Sequence, residues 1–393
     1  MTLHDAVILS ARRTPIGRYL GGLAGIAAPD LGAVAIKSAL EHARVDAADV
    51  DEVIMGNVIT AGLGQAPARQ AALKAGIPPT VAALTVNKVC GSGLKAAMLA
   101  GQAVRLGDAN VVVAGGQENM SRAPFLVEGV RQGIKFGDQK FIDAMLQDGL
   151  TCAFEQCHMG LHAEHTAETD NISREDQDAF AAQSQQRAAQ AQQDGAFSNE
   201  IEPVDGGKRV GMIEHDEGVR ADTTAEGLGK LRPAFTKDGS VTAGNASTLN
   251  DGAAAVVVAS AQYAQDKGLK PMAKIVASAT AGTEPKDLFI APAFAVEQVC
   301  EKAGIKVSDI DLFELNEAFA SQSLACMRRL KLDGENVNVH GGAIALGHPI
   351  GGSGARCLVT LLHAMAARNA RLGCVSLCLG GGNAVAMIVE RSA

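Results

Sequence analysis

Short apolar runs recur along the chain and are separated by alanine-rich or polar segments. Ala6 to Leu9, Val81 to Val86, Val111 to Ala114, Leu312 to Leu315 and Val375 to Leu379 read as buried strands. Leu94 to Val104 reads as a helix, and Ser173-Arg174-Glu175-Asp176 opens a Gln/Ala-rich helix to about Gln193 with a capping-box-like serine. Val337-Asn338-Val339 reads as one further short strand. Strands alternating with helices predict an α/β fold.

The pattern also repeats. Glu41 to Asp51 returns as Glu301 to Asp311, Gly91-Ser92-Gly93 as Gly352-Ser353-Gly354, and Leu106-Gly107 with Gly115-Gly116 as Leu372-Gly373 with Gly381-Gly382. The offset rises only from 260 to 266. A period this long predicts a duplicated α/β domain with mixed sheets. Met120 to Thr248 does not fit the repeat and contains the polar stretch Gly206 to Lys230, so it reads as an inserted loop domain, a lid. The expected organisation is a first half over 1–119 plus about 249–270, the insertion over 120–248, and a second half over 271–393.

Composition narrows the function. A net charge of −8 with no Trp and few aromatics argues against nucleic acid, and no apolar run is long enough for a membrane span. Eight scattered cysteines without a Cys-x-x-Cys pair predict reduced thiols, and no leader pattern is legible at the N-terminus; both point to the cytoplasm.

The candidate chemistry sits at strand ends. Val81 to Val86 feeds Asn87-Lys88-Val89-Cys90-Gly91-Ser92-Gly93 and then a helix, which puts the Cys90 thiol near a helix N-terminus whose positive end favours the thiolate. A small buried hydrophobe is the alternative reading of that cysteine. Leu312 to Leu315 runs into Asn316-Glu317-Ala318-Phe319, Val337 to Val339 runs into His340 to Gly352 with His348, and Val375 to Leu377 runs into Cys378-Leu379-Gly380. A thiol, an imidazole, a second thiol and an amide beside glycine-rich turns are the parts of acid–base chemistry around an acyl thioester. Taken singly, His348 could order a loop and Cys378 could be core packing. Cys152, Cys157, His158, His162 and His165 have ligand chemistry at short spacing, but the pattern departs from ordinary closed tetrahedral sites, so no metal is expected.

Together these motifs resemble the thiolase family over essentially the whole chain. The resemblance implies a thiolase-like fold and reversible Claisen condensation of two acetyl-CoA to acetoacetyl-CoA and CoA. Cys90 would be the acylated nucleophile, His348 its base, and Cys378 the second acid/base; on physical grounds, the modest downward pKa shift that a thiol needs to act as a base near neutrality is one that a positive helix end provides. Asn316 would hold a water that, with His348, forms one oxyanion hole; the amides of Cys90 and Gly380 would form another. His158 and Met159 match a loop along the substrate, and Arg220, Leu231, Phe235, Ala243, Ser247 and Leu249 match CoA contacts, with Ala318 and Phe319 beside them. CoA and acyl-CoA are substrates, and neither metal nor redox cofactor is required.

His158-Met159-Gly160 resembles the short-chain branch. Pro285 to Pro292 departs from the family's Met-Gly-x-Gly-Pro pattern, with Leu288 in place of the acyl-pocket methionine and Phe289 in place of a glycine. A broad-chain 3-ketoacyl-CoA thiolase is the alternative, and a noncatalytic CoA- or lipid-binding module a remote one. Cys378 in its glycine-rich turn argues against ketoacyl synthases. Glu317 reads as loop support, and Gly129 to Met145 resembles a loop through which short-chain members form homotetramers.

Overall fold

A computed structural model describes residues 3–392. Nine strands carry the fold: β1 Ala6–Arg13, β2 Glu52–Gly56, β3 Ala82–Val86, β4 Val111–Asn119, β5 Asn250–Ser260, β6 Ala273–Gly282, β7 Leu312–Leu315, β8 Leu372–Leu379 and β9 Asn383–Arg391. With a short Gly17–Arg18 strand on β5, they form one mixed sheet in the order β7-β8-β9-β6-β1-β5-β4-β2-β3. The order is palindromic about the antiparallel β1–β6 contact, where Val7 faces Lys274. Among these nine strands, parallel pairing joins β2 with β3 and β4, and β7 with β8.

Alternation along the strands buries both sheet faces. In β1, Ala6 and Ile8 enter one core cluster and Val7 and Leu9 another; in β5, Val256 and Val258 share the first, Val257 and Ala259 the second. The shared face packs on α2 (Ser92–Leu106) and α7 (Ile350–Arg368), while α1 (Ala28–Ala43) covers the opposite face of the first half and α5 (Ala291–Ala303) that of the second. Glycines let α2 and α7 approach closely. A Cβ on Gly93 would lie 2.7 Å from the Ala355 nitrogen, and one on Gly354 2.4 Å from the Leu94 nitrogen. This contact aligns the N-terminal ends of both helices, each preceded by a candidate catalytic residue.

The repeat is visible in hydrogen bonds as well as in topology. The Asp51 carboxylate accepts from the Asn110 and Val111 amides, and the Asp311 carboxylate accepts from the Arg371 and Leu372 amides. Val111 therefore corresponds to Leu372, which corrects the register of the last glycine pairs. Gly107 ends α2 in the left-handed region, a place taken by Asn369 in α7; Gly115 and Gly116 lie inside β4, whereas Gly381 and Gly382 turn after β8 at φ +82° and +81°.

The strand expected over 337–339 is also corrected. Only Val337 makes a bridge, parallel to Phe313, in the position that β3 holds beside β2. Asn338 turns left-handed at φ 47°, and its side chain takes over the ladder: its Oδ1 accepts from the Leu315 amide and its Nδ2 donates to the Leu315 carbonyl, both at 2.8 Å.

Candidate active site

The turn between β3 and α2 is tight and strained. Val89 sits at φ 47°, costly for a β-branched residue, and is held there by Ser92, whose hydroxyl accepts from the Lys88 amide and donates to the Val89 carbonyl. A Cβ on Gly91 would lie 2.3 Å from the Leu379 side chain. Glycine there lets the first half's turn rest on β8 of the second half, so the amides of both Cys90 and Gly380 face the Cys90 sulfur.

Cys90 lies at a cleft of about 790 Å³. The lining includes His348, Cys378, Gly380, His158, Met159, Phe235, Ala243, Ser247, Leu249, Ala318 and Phe319, together with Leu288 and Phe289. Asn316 is fully buried just behind it, its Nδ2 3.5 Å from His348 Nε2. Arg220 and Leu231 are not brought to the lining; both lie on exposed surface.

A relay fixes the tautomer of His348. Ser353 Oγ donates its single proton to the Pro349 carbonyl at 2.8 Å, so it must accept from His348 Nδ1, 2.6 Å away. The ring proton therefore sits on Nδ1, and the Nε2 lone pair is free as a base. The His348 amide donates to Asn250 Oδ1, which fixes the loop.

Burial overrides the helix-end effect expected from the sequence. It pushes the Cys90 thiol up to about 12, with the nearby Glu118 charge adding to the rise and the amides of Cys90 and Gly380 opposing it. Burial, then the Arg356 charge, lowers His348 to about 3. Cys378, packed among Leu288, Phe289, Ala318 and Phe319, is raised well above an ordinary thiol by burial and then by the proximity of Cys90, not lowered as a positive helix end would have it. The resting pair is thus a neutral thiol and a neutral imidazole. The ultraviolet thiolate absorbance of wild type minus Cys90→Ser should stay flat from roughly pH 6 to pH 9, whereas a preformed thiolate–imidazolium pair would show one thiolate at the acid end.

Residues of the segment expected to form a lid supply the outer wall. His158 caps α3 (Met159–Thr169), its Nδ1 accepting from the Gly160 amide, so its Nε2 carries the proton and is a donor; its ring stacks on Phe235 at 4.8 Å. Glu164 on α3 accepts from the Ser240 and Val241 amides, and the Ser247 amide donates to the Ala318 carbonyl, which ties the 240–247 loop to the cleft.

Sequence reasoning missed the supports. Besides Ser353 and Asn250, Glu118 accepts from Asn57 Nδ2 and from the amides of Val58, Ile59 and Gly351, joining the first half to the start of α7. Its signal was a carboxylate in the polar Gln117-Glu118-Asn119 end of a fully buried strand. Cys357, read as packing, directs its thiol at Asn316 Oδ1 at 3.7 Å. Glu317 does support its loop, accepting from Ser184 Oγ, Asn338 Nδ2 and the Ile344 amide.

Comparison with known proteins agrees with this architecture. Residues 6–262 match the thiolase N-terminal domain and residues 269–391 the thiolase C-terminal domain. The chain is 55% identical over 392 residues to an acetyl-CoA acetyltransferase of Pseudomonas aeruginosa, covering 99% of this chain and all of the relative. It is 53% identical over 392 residues to an acetyl-CoA acetyltransferase of Escherichia coli K12, with the same coverage. A probable acetyl-CoA acyltransferase of Staphylococcus aureus is 52% identical over 388 residues, 98% of each chain. With both domain models matched along nearly its full length and these relatives aligned end to end, the chain belongs to the thiolase family.

Proposed function

We propose that the protein is an acetyl-CoA C-acetyltransferase, condensing two acetyl-CoA to acetoacetyl-CoA and CoA by ping-pong chemistry through S-acetyl-Cys90. The observation that carries this reading is the convergence of Cys90, Cys378 and a tautomer-fixed His348 on one cleft. His348 Nε2 takes the Cys90 proton as sulfur attacks the thioester carbonyl, and the Cys90 and Gly380 amides hold the oxyanion. Cys378 starts protonated and gives its proton to the departing CoA sulfur. The resulting Cys378 thiolate removes a proton from the methyl of the second acetyl-CoA, whose enolate oxygen is held by the protonated His348 Nε2 and by a water that Asn316 holds. Carbon attack on the acetyl group expels Cys90, which recovers its proton from His348. The protons balance, and no step needs a metal or redox cofactor.

The lid, with His158, Met159 and Phe235, lies along the thioester, and the loop carrying Ala243, Ser247 and Leu249 lies along the pantetheine. Exposed Arg220 and Leu231 serve the nucleotide end of CoA. Exposed Val130, Ile134, Phe136 and Phe141 between 129 and 145 support assembly into a homotetramer. Chemistry through two free thiols suits the reducing cytoplasm; no helix among the described residues is long and apolar enough to cross a membrane.

Phe289 favours the short-chain reading over the broad one. It is 2% exposed, lines the cleft and meets Phe319 edge to face at 5.2 Å. Thiolysis of 3-ketoacyl-CoA substrates from four to sixteen carbons should show kcat/KM falling steeply after the shortest. Phe289→Ala should raise the eight-carbon to four-carbon ratio by about tenfold or more, the scale of a few accommodated methylenes. A flat or rising wild-type profile would move the chain to the broad enzymes, and no cleavage at any length would leave the binding-module reading.

A further inference from the structure

The hairpin of the lid and the helix that follows it bring together three potential ligands that the catalytic chemistry does not use. Cys157 Sγ lies 3.5 Å from His162 Nε2, and one carboxylate oxygen of Glu155 lies within 4.8 Å of the Cys157 sulfur and of a His162 ring nitrogen. A tetrahedral zinc ion with ordinary Zn–S and Zn–N bonds separates its sulfur and nitrogen ligands by about 3.6 Å. The two strongest ligands are therefore already at the required spacing.

His162 is oriented for the role. It is 2% exposed, and its ring lies beside the Lys286 backbone, with Glu155 Oε2 4.0 Å from Nδ1. Nε2 is the nitrogen that faces Cys157, and a backbone group beside the ring is the usual support for a metal-bound histidine. Glu155 is exposed enough to swing in as third ligand, leaving a position for water. Two neighbours do not take part: His158 is committed to capping α3, and His165 pairs with Asp287 at 2.9 Å.

We propose that Glu155, Cys157 and His162 form an accessory site for a thiophilic divalent cation of the zinc class. Binding replaces the Cys157 S–H proton, released to solvent, with a sulfur–metal bond. The ion ties the hairpin, bridged at Thr151 and His158, to α3. Cys152, Ala153, Phe154 and His158 on that hairpin line the cleft, so occupancy stiffens one of its walls. The site has no part in the acyl-transfer chemistry.

The test uses the full-length enzyme, stripped with a chelator and titrated with Co²⁺ alone as a spectroscopic probe. One equivalent should bind with a thiolate-to-cobalt charge-transfer band and the visible intensity of tetrahedral coordination, and Zn²⁺ should displace it. Cys157→Ser should remove the band, and His162→Gln should weaken binding by at least about 100-fold, the upper end of what losing even an outer-sphere partner costs. Cys90→Ser should keep the band. A band that survives Cys157→Ser, a band lost in Cys90→Ser, or no band in the wild type would overturn the assignment. Circular dichroism of each variant separates loss of the ligand from loss of the fold.

Discussion

Cys90→Ala is expected to lower acetoacetyl-CoA thiolysis by ~10⁵-fold or more and to abolish labelling of the protein by acetyl-CoA. The size follows from the site's economy. Among the cleft residues, Cys90 is the thiol that faces both the Gly380 amide and its own, where the tetrahedral oxyanion must form. Cys378 cannot replace it, because although it lines the same cleft it is packed in an apolar cluster with Phe289 and Phe319, and its sulfur faces its own amide and not that of Gly380. Cys90→Ser keeps the shape but offers a hydroxyl that the same imidazole deprotonates far less readily, so a residual rate well below wild type is expected. The measurement is intact-protein mass after incubation with acetyl-CoA, alongside turnover. An acetyl group retained on Cys90→Ala at wild-type rate would place the nucleophile elsewhere and end the ping-pong scheme as written.

The reactive groups were legible because local patterns mark them. Cys90, Asn316 and Cys378 each lie at or just beyond an apolar strand beside small residues, and His348 stands in a glycine-rich loop before a helix. Apart from Ser353, which lies five residues beyond His348, their supports were not, because they are set by contacts between distant parts of the chain. Asn250 reaches the His348 amide across 98 residues, and Glu118 reaches Gly351 across 233. The same distinction explains the misread electrostatics. The positive helix end beside Cys90 can be read from a turn followed by a helix, but the desolvation that outweighs it comes from the second half of the molecule closing over the turn. At 337–339 an apolar–polar–apolar triplet suggested a strand; the chain instead uses the Asn338 amide as a substitute ladder, freeing the backbone to turn toward His340. The repeat was visible, yet its register slipped where two glycine pairs with different tasks, one inside a strand and one in a turn, looked alike.

Cys378→Ala should separate the two half-reactions. With the second thiol gone, the imidazole that activates Cys90 and the amides that hold its oxyanion remain, so acetyl-CoA still delivers an acetyl group to the protein, at a reduced rate because the departing CoA sulfur lacks its proton donor. Condensation and thiolysis, which need proton transfer at carbon and at CoA respectively, should fall by about 10³-fold, within the range of a deleted general acid–base. The raised pKa of Cys378 sharpens the expectation. A thiolate formed in that apolar pocket is a strong base, and it forms only when CoA leaves with the proton, so base strength appears at the moment a second acetyl-CoA arrives. Exchange of the acetyl-CoA methyl hydrogens with deuterated solvent should therefore accompany wild-type acetylation and vanish in Cys378→Ala while the acetyl-enzyme is still detected. Exchange that persists in the variant would assign carbon deprotonation to His348, and an acetyl-enzyme that no longer forms at all would mean that Cys378 supports the nucleophile itself.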